Sequence, residues 1–210
     1  MYCLFEEGKQ SYTKGEQMVN TSPNRKNTRG NLRDAAIRLG ARQGIHAASI
    51  RTIAREAGVT EGAVYKHFVN KDDLIRDAYT TIVNEMARDK EVLVKTELPF
   101  EHAVRAWVKL TYEYFDGNRD AFTYVLLMPH RMADTLGEIY TKQGLLFRSF
   151  IIRAQENNQV RDMDPDLAVA IFTGCVLNIP RLINEGELKG PALKYADEIT
   201  ETMLKTFAIS

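Results

Sequence analysis

Tyr65, Lys66 and His67 stand in succession just after Gly62 and Ala63. A phenol, an ammonium and an imidazole can each donate a hydrogen bond to a phosphate oxygen, and glycine and alanine let a backbone approach a surface closely. That set suits contact with double-stranded DNA, with Ala63 against a thymine methyl and Lys66 on a guanine edge. Thr60 and Glu61 open the same segment, and Lys71 follows it with a second ammonium. Glu61 is the awkward member, because an acid repels phosphate unless it accepts from a cytosine amino group. Upstream, Ser49 is placed to cap a helix whose first residues include Arg51 and Thr52, so that helix start can hold a phosphate. The bland alternative, that Tyr65 and His67 only pack the local fold, stays open. No catalytic constellation competes with this one. His46, His67, His102 and His130 have no metal-ligand spacing, and no serine elbow, phosphate loop or dinucleotide fingerprint occurs. Catalytic residues, cofactor and metal are therefore not expected.

Two short helices must carry these groups. Ile50, Ile53, Ala54 and Ala57 form an apolar stripe at helical spacing, and Gly58 can take the positive φ that ends a helix. Thr60 then caps a second helix, Glu61 to His67, which buries Val64 and Phe68. Small side chains at Ala54 and Ala57 allow the close crossing of a helix-turn-helix. Ahead of them, Leu32, Ala35, Ala36 and Leu39 predict a first helix over 28–43.

Over residues 28 to about 80 the chain closely resembles the tetracycline-repressor (TetR/AcrR) family. The matching residues are Ala35-Ala36, Gly44, Ile53-Ala54, Ala57-Gly58-Val59-Thr60, Gly62-Ala63-Val64-Tyr65-Lys66-His67-Phe68 and Lys71. The resemblance implies an all-α protein, with an N-terminal three-helix DNA-binding domain and a C-terminal helical domain for effector binding and dimerisation. It implies phosphate contacts from Tyr65, His67, Thr52 and Lys71, and places Gly62, Ala63 and Lys66 at the groove. One position departs: Gly40 stands where a core Phe is usual, at a cost of about 1 kcal/mol in helix propensity relative to Ala. Either Ile45 or Phe68 fills that space, or the domain is loosely packed.

The charge distribution agrees with such a division. Between 24 and 75 there are ten Lys and Arg against five Asp and Glu, whereas from 76 onward there are sixteen against twenty. A basic head on an acidic body suits nucleic acid, although basic faces are often merely solvated. The boundaries expected are a disordered extension over 1–24, a DNA-binding domain over 25–75 and the effector and dimerisation domain over 76–210. Within the extension, codons for Lys14-Gly15-Glu16 can spell a ribosome-binding site ahead of Met18, making Met18 an alternative start to a genuine flexible arm. No apolar run looks long enough to span a bilayer. Cys3 and Cys175 fit no redox or metal spacing and suit a reducing cytosol.

In the body, Asn70 can cap a helix over 71–90 with Asp72 and Asp73 in its first turn. Asp164-Pro165 is a cap and first-turn pair opening the most apolar helix, hydrophobic over 167–183. Periodicity predicts further helices over 100–115, 120–127, 133–157 and 191–207. Trp107, Tyr112, Phe115, Phe122, Tyr124, Met128, Met132, Tyr140 and Phe147 form an aromatic and methionine population on helices that, by resemblance, surround an effector cavity. Each is as readily plain core. Asn178 and Arg181 lie on the following apolar helix, and His130-Arg131 is the best polar pair for an anionic or carbonyl end of a ligand. The segment 167–183 is apolar nearly all round and calls for partners on two sides. Ala170 and Gly174, with Ile199, Met203 and Phe207 on the last helix, are the expected dimer contacts. The combined expectation is a cytoplasmic, homodimeric transcriptional repressor, released from a palindromic operator by a small hydrophobic or amphipathic effector. A ligand-independent architectural DNA binder is the alternative, and a helical small-molecule carrier a more distant one.

Overall fold

A computed structural model describes residues 27–45, 47–96, 98–128 and 132–209, and these form helices and connecting turns with no strand among them. The expected extension over 1–24 and its Met18 lie outside the described residues. At the N-terminal end, α1 (Thr28–Gln43), α2 (Ile50–Glu56) and α3 (Glu61–Val64) close on a small core of Leu32, Ala35, Ala36, Ile53, Ala54, Ala57, Val64, Phe68 and Leu74. Asn27 caps α1 by accepting from the Gly30 amide at 3.0 Å. The turn between α2 and α3 passes through Gly58 at φ +70°, and the Val59 amide reaches back to the Ala54 carbonyl at 2.9 Å. Glycine carries that left-handed angle without steric cost.

A long helix, α4 (Lys71–Lys95), leads out of the head and runs beyond the expected Lys90. Asn70 accepts from the Asp73 amide at 2.9 Å, and Asp72 and Asp73 occupy the first turn, where the helix dipole favours acids. The body adds α5 (Phe100–Gly117) and α6 (Arg119–Leu126), then α7 (Ala133–Leu136), α8 (Glu138–Glu156), α9 (Pro165–Glu185) and α10 (Ala196–Phe207). The helix expected over 133–157 is divided at Gly137, whose φ of +59° separates α7 from α8. α9 starts as the sequence predicts: the Asp164 carboxylate accepts from the amides of Asp166 and Leu167 at 2.7 and 3.1 Å, with Pro165 in the first turn.

Burial of α9 within the chain is one-sided. Only one face, Ala168, Phe172, Val176, Pro180 and Ile183, is buried within the chain, while Leu167 is 54% exposed and Ala170 and Gly174 are open. By length and composition this helix could cross a membrane, against the expectation that no run could. Its buried face, however, packs in the body core, and Asn178, Arg181 and Asn184 interrupt the other side.

Met203 and Phe207 must be reassigned. Both are 1% exposed and belong to the body core, where Phe207 meets the Phe100 ring edge-on at 5.9 Å. They cannot face a second subunit, and Ile199 is half-buried against the same core. The stripe on α10 is apolar because α5 and α9 cover it, a demand that helical periodicity reports without naming the partner.

Candidate nucleic-acid interface and effector cavity

At the start of α2, Ser49 and Thr52 bond reciprocally. The Thr52 amide donates to Ser49 Oγ at 3.1 Å, and the Ser49 amide donates to Thr52 Oγ1 at 2.8 Å. The Thr52 hydroxyl also donates to the Ser49 carbonyl at 2.8 Å, so its proton is engaged locally rather than held out for a phosphate. Thr60 differs from expectation, for its side chain makes no capping hydrogen bond to α3. The α-helical part of the recognition segment is also shorter than 61–67. After Val64 the chain tightens into turns, with the His67 and Phe68 amides both donating to the Val64 carbonyl.

The face presented by this segment is open. Glu61, Gly62 and Lys66 are exposed, Tyr65 is 58% exposed, and Ala63, His67 and Lys71 are half-buried. A side chain added at Gly62 would meet nothing within 4 Å, so the backbone there is clear for close approach. Arg51 projects from α2 with its Nε 4.0 Å from the Glu61 carboxylate. That contact offers the awkward acid a partial counter-charge beside the same surface.

Two sets of contacts from α1 fasten the head to the body. Asp77 on α4 receives Arg29 and Arg33 of α1 at 2.6 and 2.7 Å. Burial alone would raise the Asp77 pKa, but these two hydrogen-bonded guanidinium groups outweigh it and hold the carboxyl below its ordinary value. Within the head, Arg29 also stacks over Phe68, 4.7 Å from the ring centre, and donates to the His67 carbonyl at 3.3 Å. The second contact answers the question posed by Gly40. A Cβ there would lie 2.6 Å from the Tyr124 ring, so a tyrosine of α6 occupies the space that the missing side chain leaves. Ile45 is a neighbour at 3.5 Å, whereas Phe68 is not among the atoms there.

The body holds a partly open cavity of about 580 Å³. Of the residues expected around it, Trp107, Phe122, Met128, Tyr140 and Phe147 line the wall. Tyr112, Phe115 and Tyr124 do not; they are core side chains, and Met132 packs against that core. Asn178 and Arg181 border a different, more open groove on the outer side of α9, together with Ala170 and Gly174. There Arg181 is engaged with Asn178 at 2.8 Å and Glu185 at 2.5 Å. His130 and Arg131 lie outside the described residues. Sequence reasoning missed Tyr79, Val83, Met86 and Lys90, all on α4 and all lining the cavity. The signal for Lys90 was present, for it falls three and four residues after Ala87 and Met86, on the apolar stripe of its helix.

A helix-turn-helix with an open recognition face, joined by one long helix to a helical body with a cavity, is an architecture suited to contact with DNA at one end and to holding a small molecule at the other. Residues 32–78 match the profile of "Bacterial regulatory proteins, tetR family". The chain is 44% identical to the HTH-type transcriptional regulator AcrR of Shigella flexneri over 52 residues, 25% of this chain and 24% of that protein. It is 26% identical to the HTH-type transcriptional repressor KstR2 of Rhodococcus jostii over 146 residues, 67% of this chain and 72% of that one. In fold it matches the transcriptional regulator FadR of Bacillus subtilis, solved in complex with stearoyl-CoA. The TM-score is 0.74 at 16% identity, covering 83% of this chain and 97% of that one. The family match in sequence lies in the head, over residues 32–78, and the chain as a whole is similar to such regulators in fold.

Proposed function

We propose that this chain is a cytoplasmic, homodimeric repressor that binds a palindromic operator and is released by a small amphipathic ligand entering the body cavity. The observation that carries this reading is the double role of α4. Its first turns place Leu74 in the head core and Asp77 under Arg29 and Arg33, and its later turns place Val83, Met86 and Lys90 in the cavity wall. α6 has a similar double role, with Phe122 and Leu126 on the cavity and Tyr124 against Gly40 of α1. A ligand that repositions either helix therefore moves the head. In a dimer reading two half-sites one helical turn apart, such a displacement favours a spacing that no longer fits. The FadR complex with stearoyl-CoA supports an amphipathic effector for this type of fold.

In this reading Ser49, Arg51, Tyr65, His67 and Lys71 meet phosphate, while Gly62, Ala63 and Lys66 approach the bases. Binding to the DNA flanking the gene tests it. Lys71→Ala should weaken all duplexes alike and lower the salt slope by about one unit, because phosphate contacts carry no sequence information. Lys66→Ala should instead relax preference at one base pair, by roughly 1–3 kcal/mol. Unchanged operator binding in a folded Tyr65→Ala, Lys71→Ala double variant would remove the assignment.

A further inference from the structure

Lys90 occupies a core position on α4 and is 3% exposed, yet it lines the cavity. Its Nζ donates to Gln143 Oε1 at 3.1 Å and lies 5.4 Å from the centre of the Trp107 ring. Gln143 is held in turn by donating to the Val83 carbonyl at 3.2 Å. An ammonium has three N–H donors, and among the described residues no carboxylate pairs with this one. The charges nearby are spent on each other. Arg148 and Asp166 on the cavity wall pair at 2.7 Å, and Glu91, next to Lys90 on α4, is turned to Lys142 at 2.8 Å. Burial without a counter-ion pushes the Lys90 pKa down to about 7. From Lys90 back to Tyr79 the wall follows α4 for roughly 16 Å at the helical rise, and most of its lining is apolar, including Val83, Met86, Phe147 and Phe172.

We propose that the cavity receives an amphiphile with one free carboxylate, the carboxylate seated on Lys90 Nζ and the hydrocarbon tail laid along α4 towards Tyr79. The proposal rests on the effector role of the cavity and narrows it to a chemical class. A carboxylate supplies the counter-ion that the buried ammonium lacks. A methyl ester or a coenzyme A thioester of the same acid presents an uncharged carbonyl and leaves the ammonium unpaired, so the free acid is preferred. Tail burial is common to all three, and the head group alone separates them.

Trp107 is the single tryptophan of the chain and stands against Lys90, so its fluorescence reports occupancy directly. The probes are dodecanoate, methyl dodecanoate and dodecanoyl-coenzyme A, titrated into the full-length protein below their micellar concentrations, with operator release followed in parallel. Dodecanoate is expected to bind about tenfold or more tighter than its ester, as a charge-assisted contact is stronger than a neutral one. Lys90→Met, close in volume and neutral, should erase that preference while retaining the ester. Because the acid binds the protonated lysine, its affinity should fall by about tenfold per pH unit above about pH 7, and the slope should vanish in Lys90→Met. Of the other titratable groups on the wall, Arg148 and Asp166 form the closed pair, and burial pushes Tyr79 up to about 12. Tyr140→Phe, which should keep the slope, tests the remaining ring. If the ester or thioester binds wild type as tightly as the acid, or the acid preference survives in Lys90→Met, the proposal is overturned while the effector cavity stands. If no probe binds or releases operator, both are overturned.

Discussion

Gly40 is a residue whose meaning changes with context. In the middle of α1 a glycine costs helix stability, and here the cost makes room for the Tyr124 ring. Replacing it separates the two effects. Gly40→Ala gains about 1 kcal/mol of helix propensity but drives a methyl into an aromatic ring, and overpacking of this kind costs about 1–3 kcal/mol. The net expectation is a loss of up to roughly 2 kcal/mol in thermal unfolding. That loss should disappear in a Tyr124→Leu background, where the clashing ring is gone. A single variant more stable than wild type would show that the ring has room to move. The glycine was legible as a hole in the helix; its occupant was not, because Tyr124 arrives from a helix far along the chain.

Among the elements, α4 has the widest reach, and its coupling to the head runs through Asp77. Asp77→Asn should loosen α1 from α4 and destabilise the protein by about 1 kcal/mol, a modest figure because the partner Arg29 is half-exposed and solvent screens the pair. The pH sign follows from the depressed carboxyl. Its folded pKa lies below the ordinary 3.8, so its stabilisation is fully present above that value and is lost as pH falls through the folded pKa. Acid unfolding of wild type should therefore be steeper below about pH 4 than that of Asp77→Asn, when both are followed by far-ultraviolet circular dichroism. Parallel acid curves would place the head–body coupling elsewhere. The start of α4 was readable from Asn70 and the acids after it, since a cap is a local bond. Its length was not, because propensity past Lys90 does not reveal how far the body supports the helix.

For the whole molecule, the proposed homodimer would use the outer side of α9, where Ala170 and Gly174 are exposed, once Met203 and Phe207 are assigned to the core. Gly174 is a clean place to test it. A Cβ there meets nothing within 4 Å inside the chain, so a side chain added at Gly174 starts from open space on that face. If α9 packs against its copy, the added side chain overfills that crossing at about 1–3 kcal/mol per subunit. Sedimentation at micromolar concentration should then show monomer, and operator affinity should fall with it, since one head spans one half-site. A wild type that sediments as monomer while binding operator fully would refute the dimer.

What the sequence determined by itself was local. The boundaries of α1, the Ser49 and Asn70 caps, the glycine turn after α2 and the N-terminus of α9 are all set by bonds or steric limits within a few residues. The resemblance in the same region rests on such positions too. What only the tertiary structure decided was which apolar face meets which. Periodicity announces that Met203, Phe207 and the α9 stripe must be covered, but coverage by the same chain and by a second chain leave one pattern. The cavity was equally hidden. An aromatic that lines a space and one that fills it, Trp107 and Tyr112, have the same chemistry, and only the placement of the surrounding helices tells them apart. Lys90 was visible as a lysine on a core stripe, yet only the placement of Glu91 against Lys142 and of Asp166 against Arg148 leaves it without a carboxylate partner among the described residues.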